Sequence, residues 1–241
     1  MEIDDLTLVN RCKEGDQQAF RLLVKRYERK VFQVAFGMLR PGALGATADE
    51  PLGRPPLGDL GDGPLDPRNL GLAVARALRP GHIVINESLT SAGYRRLAPQ
   101  AAPHTLLAVL GGAIGGGLPA AVGAAVAAPD RPVLALQADG SSLYTIQSLW
   151  TMARERLDVT VVLLANQRYN ILDVELADAG IELSEGGRAM TSLADPALSF
   201  AKLAEGFGMP ARTVATTEEL ADALDWAIDG AGPHLIEARL P

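Results

Sequence analysis

Two stretches of the sequence decide the fold, VLALQADGS at residues 133–141 and TVVLLAN at residues 160–166. Each contains a run, VLAL or VVLLA, that is apolar at every position instead of at alternate positions. Such runs are typical of strands that are buried on both faces of a parallel sheet. Stretches with apolar residues every three or four positions separate them, as in helices. Residues 66–241 are therefore predicted to form an α/β domain, a doubly wound, mostly parallel sheet with helices on both faces.

The same patterns place the elements along this domain. They predict strands at residues 82–86, 133–138, 159–165 and 234–238. They predict helices near residues 70–78 and 197–205 and at 147–156 and 218–228. A Gly-rich turn at 111–117 is predicted to lead into a further helix that ends at residue 127. No charged residue stands between Arg96 and Asp130, but six glycines and Pro119 within residues 106–127 make this stretch a poor membrane-spanning helix. No membrane span is expected.

Composition narrows the classes of function. The 241 residues are 48% hydrophobic, enough for a sizeable core, and carry a net charge of −7 at pH 7. An acidic chain is poorly suited to bind nucleic acid or anionic lipid as its main role. The single cysteine, Cys12, excludes an internal disulfide and a multi-cysteine metal site and suits a reducing compartment. Because the N-terminus carries acids where a signal peptide carries bases, a cytoplasmic location is expected.

Charge and composition divide the chain into three predicted segments. Residues 1–40 carry a net charge of +2 and the remainder a net charge of −9. Apolar positions in the first segment recur every three or four residues, which predicts a short N-terminal helical segment. Residues 41–65 contain six glycines and five prolines, which indicates a linker. The α/β domain, residues 66–241, follows it.

Polar residues follow two of the predicted strands. Asp139, Gly140 and Ser141 come after the first decisive strand, and Asn166 comes after the second, 27 positions beyond Asp139. Ligands of open parallel sheets bind beyond the carboxyl ends of the strands, so a carboxylate and an amide oxygen can converge there on one Mg²⁺ ion and a diphosphate. The simpler alternative is that Asp139 caps the next helix and Asn166 begins a turn.

Four stretches resemble a known family. They are IVINESLTSAG at residues 83–93, GGAIGGGLPAAVGAAVAAPDRPVLALQADGS at 111–141, SLWTMARERLDVTVVLLANQRYNIL at 148–172, and the closing FAKLAEGFG with GPHLIEARL. With the Asp-Gly-Ser to Asn interval, they resemble the C-terminal, thiamine-diphosphate-binding domain of the acetolactate synthase and benzoylformate decarboxylase group. The resemblance covers about three-quarters of the chain. The sequence departs from the family pattern at Ala138 and Gln167, where the family usually has glycine, and at Ala165, where it has asparagine.

The resemblance implies a set of cofactor-binding residues. It places Mg²⁺ on the side chains of Asp139 and Asn166 and the backbone carbonyl of Arg168, and thiamine diphosphate against Gly140, Ser141, Thr90, Ser88, Gly112 and Ile114. In the family, the residue matching Gly112 accepts the cofactor's amino group, and the residue matching Ile114 bends the cofactor into a V shape. A branched aliphatic side chain among glycines is a rigid apolar wedge, which supports that role. The alternative is that Ile114 is an ordinary core residue.

The resemblance also implies an activity and what that activity requires. Relatives decarboxylate a 2-oxo acid and then protonate or carboligate the product, which makes them lyases or transferases. Their cofactor is activated by a glutamate on a separate pyrimidine-binding domain that normally precedes this one and is expected to be missing here. Glu87 is interpreted as structural, and no catalytic residue is assigned. The expected partners are a 2-oxo acid substrate and either another copy of the chain or a protein that supplies the pyrimidine-binding domain.

Two other interpretations remain open from the sequence. LTLVNRCKEGDQQAFRLLVKRYERKVFQVAFGMLR, within residues 1–40, resembles the start of region 2 of extracytoplasmic-function RNA polymerase sigma factors. That resemblance implies a truncated, vestigial RNA polymerase contact that carries a passenger domain. The second alternative is an NAD(P)-binding Rossmann-type oxidoreductase, because Gly115, Gly117 and Ala120 loosely match a dinucleotide fingerprint.

Overall fold

A computed structural model describes residues 3–13, 16, 18–19, 22, 26, 57–88, 93–108 and 113–241. The chain divides into two units, residues 1–46 and 47–241. In the first unit, helix α1 spans Asp5–Lys13. The Asp4 carboxylate accepts the Thr7 backbone N–H at 2.9 Å at the start of this helix, and Arg26 forms an ion pair with Asp5 at 2.5 Å. Residues 5–13 of the N-terminal segment are thus helical, as the sequence predicts.

The second unit contains one six-stranded sheet. Its strands are β1 (Ile83–Glu87), β2 (Thr105–Ala108), β3 (Val133–Ala138), β4 (Val159–Ala165), β5 (Ala211–Val214) and β6 (His234–Arg239). They lie in the order β2-β1-β3-β4-β6-β5, and every neighbouring pair is parallel. The predicted α/β class is confirmed, and the sheet is parallel throughout.

Helices cover both faces of the sheet. The helices α2 (Pro67–Ala77), α3 (Tyr94–Leu97) and α10 (Thr217–Asp229) pack on one face, and α4 (Gly117–Ala127), α6 (Ser148–Glu155) and α9 (Phe200–Gly206) pack on the other. The shorter helices α5 (Asp139–Ser142), α7 (Asn170–Asp178) and α8 (Glu185–Thr191) and a 3₁₀ turn at Ala98–Gln100 complete the described domain.

Alternate residues of the central strands enter two separate cores. Leu134 and Leu136 contact the core beneath α2 and α10, whereas Val133 and Ala135 contact the core beneath α4 and α6. All four side chains are at most 1% exposed. Burial on both faces is the reason that this strand reads as apolar at every position.

Local sequence signals mark the starts of the two longer helices on the first face, α2 and α10. Asp66 accepts the N–H groups of Arg68 and Asn69 at 2.7 Å each, which fixes the start of α2. Thr216 and Glu219 form a capping box at the start of α10. Each cap satisfies backbone donors that the first turn of a helix leaves unpaired.

Part of the predicted linker belongs to the packed domain. Leu65 is 1% exposed and its N–H donates to the Ala215 carbonyl at 3.0 Å, while Pro64 bridges to Thr216. Residues 27–56 lie outside the described residues, so the boundaries 1–40, 41–65 and 66–241 stay predictions. Within the part of the chain that the structure describes, no helix is long and apolar enough to cross a membrane.

Candidate functional site

The candidate site lies where β3 and β4 end. Ala138 of β3 pairs with Leu164 of β4, so Asp139 and Asn166 stand at the ends of adjacent strands. Asp139 is 2% exposed. Its Oδ1 accepts the Gly140 N–H at 2.8 Å, and its Oδ2 reaches across to accept the Gln167 N–H at 2.7 Å. The structure therefore brings together the two side chains that the sequence predicts as metal ligands.

Each of these two residues also has a local role in the backbone. Asp139 is the first residue of α5, and its Oδ1 bonds a first-turn N–H, but its Oδ2 bonds Gln167 outside the helix, so capping does not account for both oxygens. Asn166 does form the expected turn, because its Oδ1 accepts the Arg168 N–H at 3.1 Å. An amide oxygen is also a type of ligand that Mg²⁺ accepts.

The electrostatics of Asp139 suit a cation. Burial raises the pKa of Asp139 above its usual range, and the N–H bonds from Gly140 and Gln167 oppose that rise. No lysine or arginine among the described residues forms an ion pair with this carboxylate. A buried carboxylate without a counter-ion is costly. A divalent cation bound to Asp139 and Asn166 would remove that cost.

A pocket joins these residues to most of the predicted diphosphate contacts. It is lined by Ser88, Ala138, Asp139, Gly140, Ser141, Asn166, Arg168, Tyr169, Asn170 and Ile171. Among the described residues no three His, Cys, Asp or Glu side chains cluster as a metal site. The donor set is instead one carboxylate with neutral oxygens, which is the kind of site that leaves Mg²⁺ room for phosphate oxygens.

The structure describes only some of the other predicted cofactor contacts. Thr90 and Gly112 lie outside the described residues. Ile114 is 57% exposed, so the alternative that makes it a core residue is wrong. Ser88 is buried, and its Oγ donates to Asn86 Oδ1 at 2.6 Å.

The sequence interpretation missed Tyr169. A Cβ atom added at Gly140 would lie 2.6 Å from Tyr169 Cδ1, so the ring covers the backbone between Asp139 and Ser141. The only signal in the sequence was an aromatic residue directly after the predicted ligand Arg168.

Gln167 precedes Arg168 and has φ 58°, a left-handed conformation that favours glycine. This is the position where the resembled family has glycine.

Glu87 is structural, and its contacts contradict the dinucleotide alternative. Its side chain is buried, and its two oxygens accept the N–H groups of Gly115 and Gly117 at 2.6 Å each. In a Rossmann fingerprint, N–H groups at this turn bind the pyrophosphate. Here the Glu87 carboxylate occupies them, so the NAD(P) interpretation of Gly115, Gly117 and Ala120 fails.

Comparison with known proteins agrees with this geometry. Residues 88–238 match a family described as thiamine pyrophosphate enzymes, C-terminal TPP-binding domain. The chain belongs to this family. The match contains both strand ends that carry Asp139 and Asn166 and the whole pocket. Relatives named as acetolactate synthase and benzoylformate decarboxylase show that this TPP-binding domain is of the type found in such enzymes.

Individual relatives show the same relationship. A Mycobacterium tuberculosis protein provisionally named acetolactate synthase large subunit IlvX is 47% identical over 206 residues, covering 83% of this chain and 39% of that protein. Benzoylformate decarboxylase of Pseudomonas aeruginosa is 34% identical over 207 residues, covering 83% and 36%.

A solved structure of the same family has a similar fold. The thiamine diphosphate-dependent 4-hydroxybenzoylformate decarboxylase of Rhodococcus jostii RHA1 superposes with a TM-score of 0.64 at 32% identity, covering 77% of this chain and 35% of that one. The chain therefore spans little more than a third of the length of these relatives.

Proposed function

We propose that the pocket at the ends of β3 and β4 binds thiamine diphosphate through Mg²⁺. The observation that carries the proposal is the buried Asp139 carboxylate, which lies beside Asn166 without a counter-ion among the described residues. Asp139 would supply the negative charge that holds the cation, and Asn166 Oδ1 and the Arg168 carbonyl would supply neutral oxygens. Family membership supports this choice of cofactor.

The remaining residues would hold the organic part of the cofactor. Ser141 lines the pocket and offers a hydroxyl to the diphosphate, and Ser88 lies at its wall. Ile114, exposed on the Gly-rich turn, presents an apolar surface that a bound ring would cover. The contacts expected from Thr90 and Gly112 stay predictions. When bound, thiamine diphosphate supplies the electron sink for cleavage next to a carbonyl group.

The activity of the whole enzyme is a further part of this proposal. We propose decarboxylation of a 2-oxo acid, followed by protonation or carboligation, as the chemistry in which this domain takes part. The names of the relatives include both an acetolactate synthase and decarboxylases. Because the chain spans little more than a third of its relatives' length, turnover would require a pyrimidine-binding domain with its glutamate, and self-association of the domain would accompany it. A cytoplasmic location fits this chemistry.

Calorimetry of the purified chain tests the cofactor proposal. Thiamine diphosphate should bind when Mg²⁺ is present and should not bind after EDTA is added, because the diphosphate reaches Asp139 and Asn166 only through the metal. NAD in place of thiamine diphosphate should give no binding heat. Binding of thiamine diphosphate at equal affinity in EDTA would contradict the metal-mediated site.

A second, separate proposal concerns the N-terminal unit. We propose that residues 1–40 are a sigma-like fragment with a vestigial affinity for core RNA polymerase. The described helix α1 and the ion pair between Arg26 and Asp5 support a helical unit of the expected kind. Immobilised full-length chain should retain core RNA polymerase, whereas the Arg26→Ala chain should retain less. Equal retention by a column without the chain would contradict the proposal.

A further inference from the structure

A buried glutamine links the pocket to the Gly-rich turn. Gln137 on β3 is 0% exposed, and β1 places Glu87 directly opposite it in the sheet register. Gln137 Nε2 donates to Glu87 Oε2 at 3.0 Å and to Ser141 Oγ at 2.6 Å. Both amide hydrogens of Gln137 are therefore used, one toward the turn and one toward the pocket.

The orientation of this amide is fixed by its neighbour. The Glu87 oxygens already accept two backbone N–H groups, and the NH₂ group of Gln137 is the side of the amide that can donate to this acceptor. The consequence is that Gln137 Oε1 is buried without a partner among the described residues. An unpaired buried acceptor is costly. The unpaired oxygen is explained if the role of Gln137 is to direct its two N–H donors to Glu87 and Ser141.

The bond from Gln137 determines what Ser141 can do. Because Ser141 Oγ accepts a short bond from Gln137, its own hydrogen must point to another acceptor. The acceptor that it has is the Ala138 carbonyl at 3.2 Å, which is long for an O–H···O bond. The hydroxyl hydrogen can therefore turn to a stronger acceptor in the pocket, and a phosphate oxygen is such an acceptor.

We propose that Gln137 is a positioning residue, which fixes the Ser141 hydroxyl as a donor to the diphosphate. This inference rests on the proposed function. Glu87 holds Gln137 in turn, and the same carboxylate binds the N–H groups of Gly115 and Gly117. The diphosphate contact and the turn that carries Ile114 thus form one hydrogen-bonded unit. Neither Gln137 nor Glu87 touches the cofactor in this assignment.

A double-mutant cycle tests the assignment. The full chain, Gln137→Met, Ser141→Ala and the double variant are titrated by calorimetry with thiamine diphosphate and, separately, with inorganic diphosphate, both with Mg²⁺. Each single variant should bind both probes about tenfold more weakly, the usual effect of losing a hydrogen bond to a charged group. The double variant should bind no more than about twofold more weakly than Ser141→Ala, because Gln137 acts only through that hydroxyl.

A matched control and a measurement on the unmodified chain complete the test. Gln147→Met makes the same chemical change at an exposed position of the chain and should leave both affinities unchanged. If Gln137→Met fails to fold, nuclear magnetic resonance of the unmodified chain decides instead. The side-chain amide signal of Gln137 should shift when Mg²⁺ and inorganic diphosphate are added, since Ser141 then bonds to the anion.

The outcomes separate this inference from the proposed function. Additive losses in the cycle, an unchanged affinity in Gln137→Met, or an amide signal that does not move with ligand would overturn the role of Gln137 and leave cofactor binding intact. If the unmodified chain binds neither probe, the proposed function fails, and the role of Ser141 as an anion donor fails with it.

Discussion

Two glycines in α4 differ in what surrounds them. A Cβ atom at Gly117 would lie 2.4 Å from Gln137 Oε1 and 2.7 Å from Glu87 Oε2, whereas a Cβ atom at Gly123 would have no neighbour within 4 Å. Gly117→Ala should therefore destabilise the chain by about 1–3 kcal/mol through overpacking. Gly123→Ala should stabilise it by about 1 kcal/mol, because alanine is the better helix former.

Urea unfolding of both variants measures these changes in the free energy of unfolding. Because the two substitutions are chemically identical and lie in one helix, intrinsic helix propensity cannot account for opposite signs. Equal stabilisation by both would show that the packing of Glu87 and Gln137 around Gly117 is looser than the distances indicate.

Asp139→Ala tests the metal site at its charged residue. The variant loses the only carboxylate among the pocket-lining residues, so the affinity for thiamine diphosphate with Mg²⁺ should fall at least tenfold, about 1.4 kcal/mol. Asp222→Ala, at an exposed position of α10, removes the same charge from the chain and should leave the calorimetric affinity unchanged. An unaltered affinity in Asp139→Ala would refute the metal assignment.

Ile114→Ala removes the proposed wedge without touching the metal ligands. The cofactor should still bind, since Ile114 is 57% exposed and contributes little to the folded core. The measurement is the circular-dichroism signal of the bent cofactor in an assembled holoenzyme that includes a pyrimidine-binding domain. That signal should be lost or reduced. A signal of full strength would show that another residue bends the cofactor.

Single elements differ in how well their sequence predicts them. The strands β3 and β4 have the predicted bounds because long apolar runs at their centres leave no other interpretation. The strands β2 and β5 were not predicted, because each has four residues, lies at a sheet edge and is partly exposed. Short edge strands carry too few apolar positions to show a period.

The candidate site also contains residues whose role the sequence predicts and a residue whose role it does not. Asp139 and Asn166 could be predicted as neighbours, because each follows a recognisable buried strand of one parallel sheet. The role of Gln137 could not, because it depends on the register that places Glu87 opposite Gln137 and on a turn that brings Gly115 and Gly117 to the same carboxylate. These contacts join residues up to 50 positions apart in the sequence, and their approach depends on tertiary packing that a local pattern does not show.

Two buried histidines at the amino ends of strands, on the side of the sheet away from the candidate site, predict that stability depends on pH. His82, before β1, and His234, the first residue of β6, are 2% and 6% exposed. Burial lowers the pKa of both rings below 6.5, although Asp158 beside them opposes the shift. As the pH falls through 6.5, the unfolded chain therefore binds protons before the folded chain does.

The free energy of unfolding should be flat above about pH 7 and should decrease as the pH falls from about 6.5 toward the lower pKa values of the folded chain. Urea unfolding between pH 5 and 8 measures this slope. His82 Nδ1 lies 2.9 Å from the Arg79 carbonyl and 3.2 Å from the Arg79 N–H. His82→Asn keeps both a donor and an acceptor for Arg79 and removes one titrating ring. In this variant the free energy of unfolding should change less steeply with pH. An unchanged slope would show that His82 does not contribute to the pH dependence.

At the scale of the whole molecule, the domain carries apolar surface that its own elements do not cover. Val126 of α4 is 63% exposed, Trp150 of α6 is 48% exposed, and Met190 of α8 is 84% exposed. Helix α4 is apolar around its whole circumference, a pattern typical of helices that are buried in an assembly. Sedimentation of the purified chain should therefore show self-association that increases with concentration.

The chain of 241 residues should have almost no turnover of its own. Its pocket can hold a cation and a diphosphate, but Glu87, the buried carboxylate nearest the turn, is bonded to two backbone N–H groups and Gln137. It is not available to activate a cofactor. The chain with a 2-oxo acid, thiamine diphosphate and Mg²⁺ should therefore release almost no carbon dioxide, and a pyrimidine-binding domain added as a separate chain should raise the rate. Turnover near 10 per second, roughly a typical enzyme rate, by the unaided chain would mean that one of its own residues activates the cofactor.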